Sequence, residues 1–243
     1  MHSLELLLPL FLTSIVQYAV ALSRPSVATE GAFNAAWIDA PGRITRFEST
    51  MIVPALPRNG SSSQALRSVW AGIQPMGAAG ILQNVLMNQN TGVNNTTPNT
   101  WYFLPEWCCK PSKDLVPLRI RQFPDDTITS LFQWNSSEVK PSGGGIMING
   151  EFDTAYDSNG RPPMALLAIQ TPRPASWDFG VVNWKNVIIE AETTTTDWCT
   201  SVPNGNSQFN WSKSAPVVTV DQERNITTCY FANFKFLGEG NDD

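Results

Sequence analysis

The chain has 243 residues, with 16 Lys and Arg against 21 Asp and Glu and a single histidine. This mild acidity excludes a nucleic-acid binder, which needs a basic face, and argues against docking on an anionic membrane. The histidine is His2, inside a segment expected to be removed, so the mature chain has no Ser-His-Asp or Cys-His mechanism and no His-containing metal site.

Residues 1–21 read as a secretory signal. A short polar start precedes the apolar run LLLPLFLTSIV, and Ala19-Val20-Ala21 forms an A-x-A cleavage pattern. The start carries Glu5 and no Lys or Arg. Pro9 and Gln17 interrupt the run, which argues against a membrane span. The expectation is a secreted, extracellular protein with no membrane or nucleic-acid partner. Its mature part, residues 22–243, is expected to form one domain, and loss of Glu5 makes it one unit less negative than the −5 of the whole chain.

Strand patterns follow. In TRFESTMIV (45–53), Phe47, Met51 and Val53 share one face, while Arg46, Glu48 and Thr50 share the other. AGILQN (79–84) is an apolar run ending on the amide of Gln83, and it lies between two aromatic stretches, VWAGIQ (69–74) and TWYFLPEW (100–107). LRIRQF (118–123) alternates Leu118 and Ile120 with Arg119 and Arg121; TSLFQW (129–134) puts Phe132 and Trp134 together. MALLAI (164–169) is continuously apolar, as in a strand covered on both sides or a short buried helix. NFKF (233–236) again alternates, with Phe234 and Phe236 on one side. A period of two marks strands with one buried face. Turn clusters such as PRNGSSS (57–63), NNTTPN (94–99), PSGGG (141–145), DSNGRPP (157–163) and VPNGNS (202–207) separate the runs. No long segment has a helical period, no repeat is visible, and no linker divides the chain. Many short strands joined by turns predict an all-β, antiparallel sandwich or barrel.

Six sequons, at Asn59, Asn94, Asn95, Asn135, Asn210 and Asn225, behind a signal peptide predict surface N-glycosylation. The four cysteines, Cys108, Cys109, Cys199 and Cys229, suggest two disulfides in a secreted chain. Sequence neighbours pair only in a strained ring, so Cys108 and Cys109 are expected to look elsewhere. A Cys199–Cys229 bond, which would leave that vicinal pair as the remainder, stays open.

The order W-x-G-I (from Trp70), I-L-Q (ending at Gln83) and W-Y (Trp101-Tyr102) resembles the glutamic peptidases, or eqolisins, a family of secreted fungal acid endopeptidases. NAAWIDAPGRITRFESTMIVPALP (34–57) resembles the family's opening strands. ALLAIQTPRP (165–174) followed by DFGVVNW (178–184) resembles the segment that carries its catalytic glutamate. The resemblance implies an antiparallel β-sandwich of two packed sheets, of the concanavalin A-like lectin/glucanase type, with a cleft on one concave face. It implies no cofactor and no metal. It implies a Gln and Glu pair, the glutamate acting as general base to a water and the glutamine amide donating to the oxyanion. Gln83 stands at the glutamine's place. Laid on the family's A-E-W-I-V-E, residues 165–170 put Leu166 at the glutamate's place. Laid on W-Y-E-W, residues 101–104 put Phe103 where a second acid stands, and Gln74 replaces the aspartate that follows W-x-G-I. Trp70, Gln74, Trp101, Tyr102, Phe103 and Glu106 are the expected cleft residues.

Leucine has no proton to move, and losing a general base costs roughly 10²–10⁴-fold in rate. Glu106, Asp178, Glu151 and Asp153 are the acids a compensating mechanism would draw on, but none stands at the motif position, and Asp178 better suits a turn or backbone cap. The reading is a non-catalytic pseudoenzyme whose aromatic cleft binds a peptide or carbohydrate ligand. Two alternatives stand beside it: an active acid endopeptidase pairing Gln83 with another carboxylate, and a lectin-like, cell-wall-associated sandwich that stacks a sugar on Trp70 or Trp101. Blander roles are also open: Gln83 as a hydrogen-bonded strand-end amide, and the tryptophans as core. Correct motif alignment requires Gln83, Trp70 and Trp101 on one concave face, and no carboxylate within about 4 Å of the Gln83 amide, the near reach that general-base work needs.

Overall fold

A computed structural model of the chain describes residues 31–58, 66–75, 81–88, 100–108, 113–114, 120–133, 136–141, 163–172, 175–201, 203–205 and 209–239. The signal segment, the sequons at Asn59, Asn94, Asn95 and Asn135, and Cys109, Trp134, Glu151 and Asp153 lie outside the described residues.

The described strands, in chain order, are β1 (Gly31–Ile38), β2 (Ile44–Ile52), β3 (Ser68–Pro75), β4 (Ile81–Met87), β5 (Trp101–Cys108), β6 (Lys113–Asp114), β7 (Ile120–Gln122) and β8 (Thr127–Gln133). They continue as β9 (Ser136–Pro141), β10 (Pro163–Pro172), β11 (Val182–Ala191), β12 (Asn204–Gly205), β13 (Phe209–Lys213), β14 (Val217–Asp221) and β15 (Ile226–Glu239). One helical turn, α1 (Asp197–Thr200), precedes β12. All pairing is antiparallel, in two sheets. The first runs β12-β1-β10-β3-β4-β5-β6, with β7 also on β5; the second runs β13-β15-β11-β2-β8-β9, with β14 on β15. The fold is an all-β sandwich of two packed sheets; the period-two patterns left a sandwich or a barrel open, and the two packed sheets are those the resemblance implied.

The main core lies between the sheets. From the second sheet it takes Phe47, Phe132, Trp184, Phe234 and Phe236; from the first it takes Leu82, Trp101, Phe103, Leu167 and Ile169. Burying each such side chain contributes about 1.5–3 kcal/mol. β2 alternates as predicted, with Phe47 and Met51 buried and Arg46, Glu48 and Thr50 half-buried. In β7 the alternation ends on a buried amide, since Gln122 is buried and Arg121 exposed. β10 is the MALLAI run, and it is buried on both faces: Leu167 and Ile169 face the main core, while Leu166 and Ala168 join a second apolar cluster on the outer face of the first sheet.

Asp178 is more than a turn residue. The buried Arg67 guanidinium, just before β3, holds its carboxylate through Nε to Oδ1 at 2.7 Å and Nη2 to Oδ2 at 3.1 Å. Nε also reaches the Ser176 carbonyl at 3.1 Å. The pair ties the segment before β11 to the first sheet, and sequence reasoning missed it because 111 positions separate the partners. One disulfide joins Cys199 of α1 to Cys229 of β15, with Cα atoms 5.5 Å apart. This is the pairing that the expectation of separate partners for Cys108 and Cys109 disfavoured. Among the described residues no cysteine is free.

Removing one partner of a buried ion pair strands the other. Arg67→Ala or Asp178→Ala should therefore each cost about 3–5 kcal/mol of stability, read by urea denaturation, and the double variant should cost less than the sum. Non-reducing peptide mapping should recover a Cys199–Cys229 cross-linked fragment, and mutating both to Ala should cost about 2–4 kcal/mol.

Candidate functional site: the outer face of the first sheet

Directly opposed residues of antiparallel strands project to the same side of a sheet. Register therefore builds one row across five strands: Trp37 of β1 opposes Leu166 of β10, Leu166 opposes Gly72 of β3, Gly72 opposes Gln83 of β4, and Gln83 opposes Glu106 of β5. The row lies on the outer face, away from the main core. Adjacent strands are about 4.8 Å apart, so the Leu166 and Gln83 backbones are roughly 10 Å apart with only glycine between them. Gly72 is required there. A Cβ at this position would lie 2.9 Å from the Leu82 carbonyl oxygen and 3.2 Å from the Gln83 Cβ.

The Gln83 Nε2 amide donates a hydrogen bond to Glu106 Oε1. This overturns the expectation that no carboxylate lies beside that amide. It also corrects the motif reading in β5. Phe103 does not stand in a cleft position; it points into the main core, as does Trp101. Trp101 packs edge-on against Phe179 with ring centroids 5.3 Å apart, and its indole N–H donates to the Pro54 and Ala55 carbonyls at 3.1 and 3.2 Å. Trp101 therefore does not share a face with Gln83 and Trp70. Strand parity gives the outer face to Tyr102, Leu104 and Glu106. The acid beside the glutamine is Glu106, three residues beyond the aligned position. Of the other cleft candidates, Trp70, Gln74 and Tyr102 lie on the outer face with Gln83, and Leu166 lies on it across the glycine.

This face is closed. In the row next to the Gln83 row, Ala35, Ala168, Trp70, Val85 and Leu104 oppose one another. Trp70 is 1% exposed, Leu166 and Leu104 0%, and Val85 2%. Phe33 stacks on Trp70 with centroids 5.9 Å apart. Gln83 itself is only 5% exposed. The polar chemistry on this face is the Gln83–Glu106 carboxamide–carboxylate pair, with Gln74 and Tyr102 on the same face, set among apolar residues. Among the described residues no group of three or more Asp, Glu, Cys or His side chains could hold a metal. The two described sequons, Asn210 and Asn225, are exposed on the second sheet. Asn225 occupies a left-handed turn position with φ 55°, a conformation asparagine tolerates well.

Motif reading also missed the far end of the row, where Trp37 meets Asp39, Trp198 and Asn204 around a cavity. No periodicity or spacing links residues 37 and 198, and only the fold brings them together. Burial pushes the Asp39 carboxyl above the usual carboxylate range, against the hydrogen bond from Asn204.

No family model matches the chain, and no curated protein does. Among solved structures, the chain is similar to Scytalido-glutamic peptidase bound to a peptide-based transition-state analogue, with 16% identity, 84% of this chain and 100% of that one covered, and a TM-score of 0.47. It is likewise similar to SCP-B, a member of the Eqolisin family of peptidases, in complex with the tripeptide Ala-Ile-His, with 15% identity, the same coverage and a TM-score of 0.44.

Proposed function

We propose that the chain is a secreted, glutamic-peptidase-like sandwich that binds a ligand and does not cleave peptides. The observation that carries the non-catalytic half of this reading is the closure around Leu166; the binding half rests on the edge cavity lined by Trp37, Asp39, Trp198 and Asn204. General-base hydrolysis needs a carboxylate within hydrogen-bond reach of the attacking water and a donor aimed at the developing oxyanion. Here the position facing Gln83 across Gly72 holds a fully buried leucine. The carboxylate that is present accepts the Gln83 amide itself. An extended substrate would also have to lie over Trp70, Val85 and Leu104, and these are already covered.

The purified protein should not hydrolyse denatured protein between about pH 2 and 5, the range in which carboxyls titrate. Leu166→Glu should not create activity. It would bury a carboxyl among apolar neighbours, raising its pKa and costing about 2–5 kcal/mol of stability near neutral pH, read by urea denaturation. Phe103→Glu is no repair, because residue 103 faces the main core.

The Gln83–Glu106 contact favours one other reading, in which Glu106 serves as the base and Gln83 as the oxyanion donor of an acid endopeptidase. Acid proteolysis that disappears in both Glu106→Gln and Gln83→Ala would establish that reading and reject the binding one.

A further inference from the structure

The cavity at the Trp37 end of the row has a volume of about 300 Å³. That is the lower end of the range for ligand pockets. Its walls come from three elements: Trp37 and the following Asp39 from β1, Trp198 and the following Ser201 from α1, and Asn204 from β12. Each wall is fixed by its own contacts. β12 is hydrogen-bonded to β1, with Asn204 opposite Trp37. The Trp198 indole N–H donates to the Thr195 carbonyl at 2.9 Å, and its neighbour Cys199 is disulfide-bonded to β15.

The polar groups are arranged side by side. Asn204 Nδ2 donates to Asp39 Oδ2 at 2.8 Å. Asp39 Oδ1 is buried and has no hydrogen-bond partner among the described residues. A buried acceptor without a donor is costly, and rotation of the Asp39 carboxylate toward the cavity would let a ligand hydroxyl supply that donor. Asp39 and Asn204 together offer acceptors and an amide to neighbouring hydroxyls, while the indoles offer apolar surface. A pyranose carries both chemistries on one small ring. An aromatic peptide side chain would suit the indoles but leave Asp39 Oδ1 unpaired.

We propose that this cavity is a monosaccharide subsite, in which Asp39 and Asn204 bind vicinal hydroxyls and Trp37 and Trp198 contact the apolar face of the ring. The subsite rests on the reading of this protein as a binder, but it lies about 19 Å along the row from Glu106, four strand spacings away. Proteolysis and sugar binding therefore succeed or fail separately. The ring can be a free sugar or one unit of a glycan chain.

The test is titration of the intact secreted protein with free hexoses and N-acetylhexosamines, and with soluble oligosaccharides of the same sugars, followed by tryptophan fluorescence and calorimetry. At least one sugar should bind saturably at millimolar concentration or below. Binding of monosaccharide and oligosaccharide alike supports recognition of one ring from either source; binding of oligosaccharide alone supports a glycan chain. Asp39→Ala and Asn204→Ala should each weaken binding at least about tenfold, the scale of one lost hydrogen bond to a charged group. Arg224→Ala, in the exposed β14–β15 hairpin and not on the cavity lining, should bind as the parent does. Asn204 is exposed, so its variant remains informative if the Asp39 variant fails to fold, and an unchanged thermal melt checks this. The proposal is overturned if no sugar in the panel binds, if binding is indifferent to both Asp39 and Asn204, or if only peptides bearing aromatic side chains enter the cavity.

Discussion

The structure depends on the register of antiparallel strands in the first sheet. A strand's side chains alternate with a period of two, so a slip of one residue would exchange its core and outer faces. In β5 the observed register sends Trp101 and Phe103 inward and leaves Tyr102, Leu104 and Glu106 outside. The same register sets Glu106 opposite Gln83. Gly72 fixes the neighbouring column, because any larger residue would meet the Leu82 carbonyl and the Gln83 Cβ. The polar pair, the leucine beside it and the tryptophan at the end of the row all follow from these pairings.

The second consequence is energetic. A sheet covered on both faces can carry near-continuous apolar strands, and β10 does so. Polar groups in such a surround need partners, and Gln83 and Glu106 partner each other. This arrangement turns a pair that resembles catalytic machinery into an internally satisfied contact. Arg67 and Asp178 follow the same rule on a larger scale, with the buried guanidinium held bidentately by the carboxylate. Asp39 keeps one buried oxygen, and Trp70 its indole N–H, without a hydrogen-bond partner among the described residues; what sets the edge of the face apart from its closed centre is the cavity there.

Most of the fold was legible in the sequence. Period-two alternation in residues 45–53 and 233–236 marked β2 and part of β15, and the unbroken MALLAI run left a strand covered on both sides or a short buried helix open, of which the structure has the strand. The site was legible only in part. Gln83, Trp70 and Leu166 share a face, as the motif order implied. Trp101 and Phe103 were misassigned because a four-letter aromatic motif was aligned without its parity; the Glu-Trp that fits the same motif lies three residues later. Neighbourhoods set by tertiary structure left no local signal: Arg67 and Asp178, which form an ion pair, and Trp37 and Trp198, which line one cavity, are each more than one hundred residues apart.

The outer face of the first sheet is packed shut over Trp70 and Leu166. Hydroxyl-radical footprinting of the native protein, read residue by residue by mass spectrometry, tests this closure. Trp70, 1% exposed, should stay unmodified under a dose that labels Phe123, 55% exposed. Modification of Trp70 at a rate comparable with Phe123, in protein that is otherwise fully folded, would show an open cleft instead of a closed face.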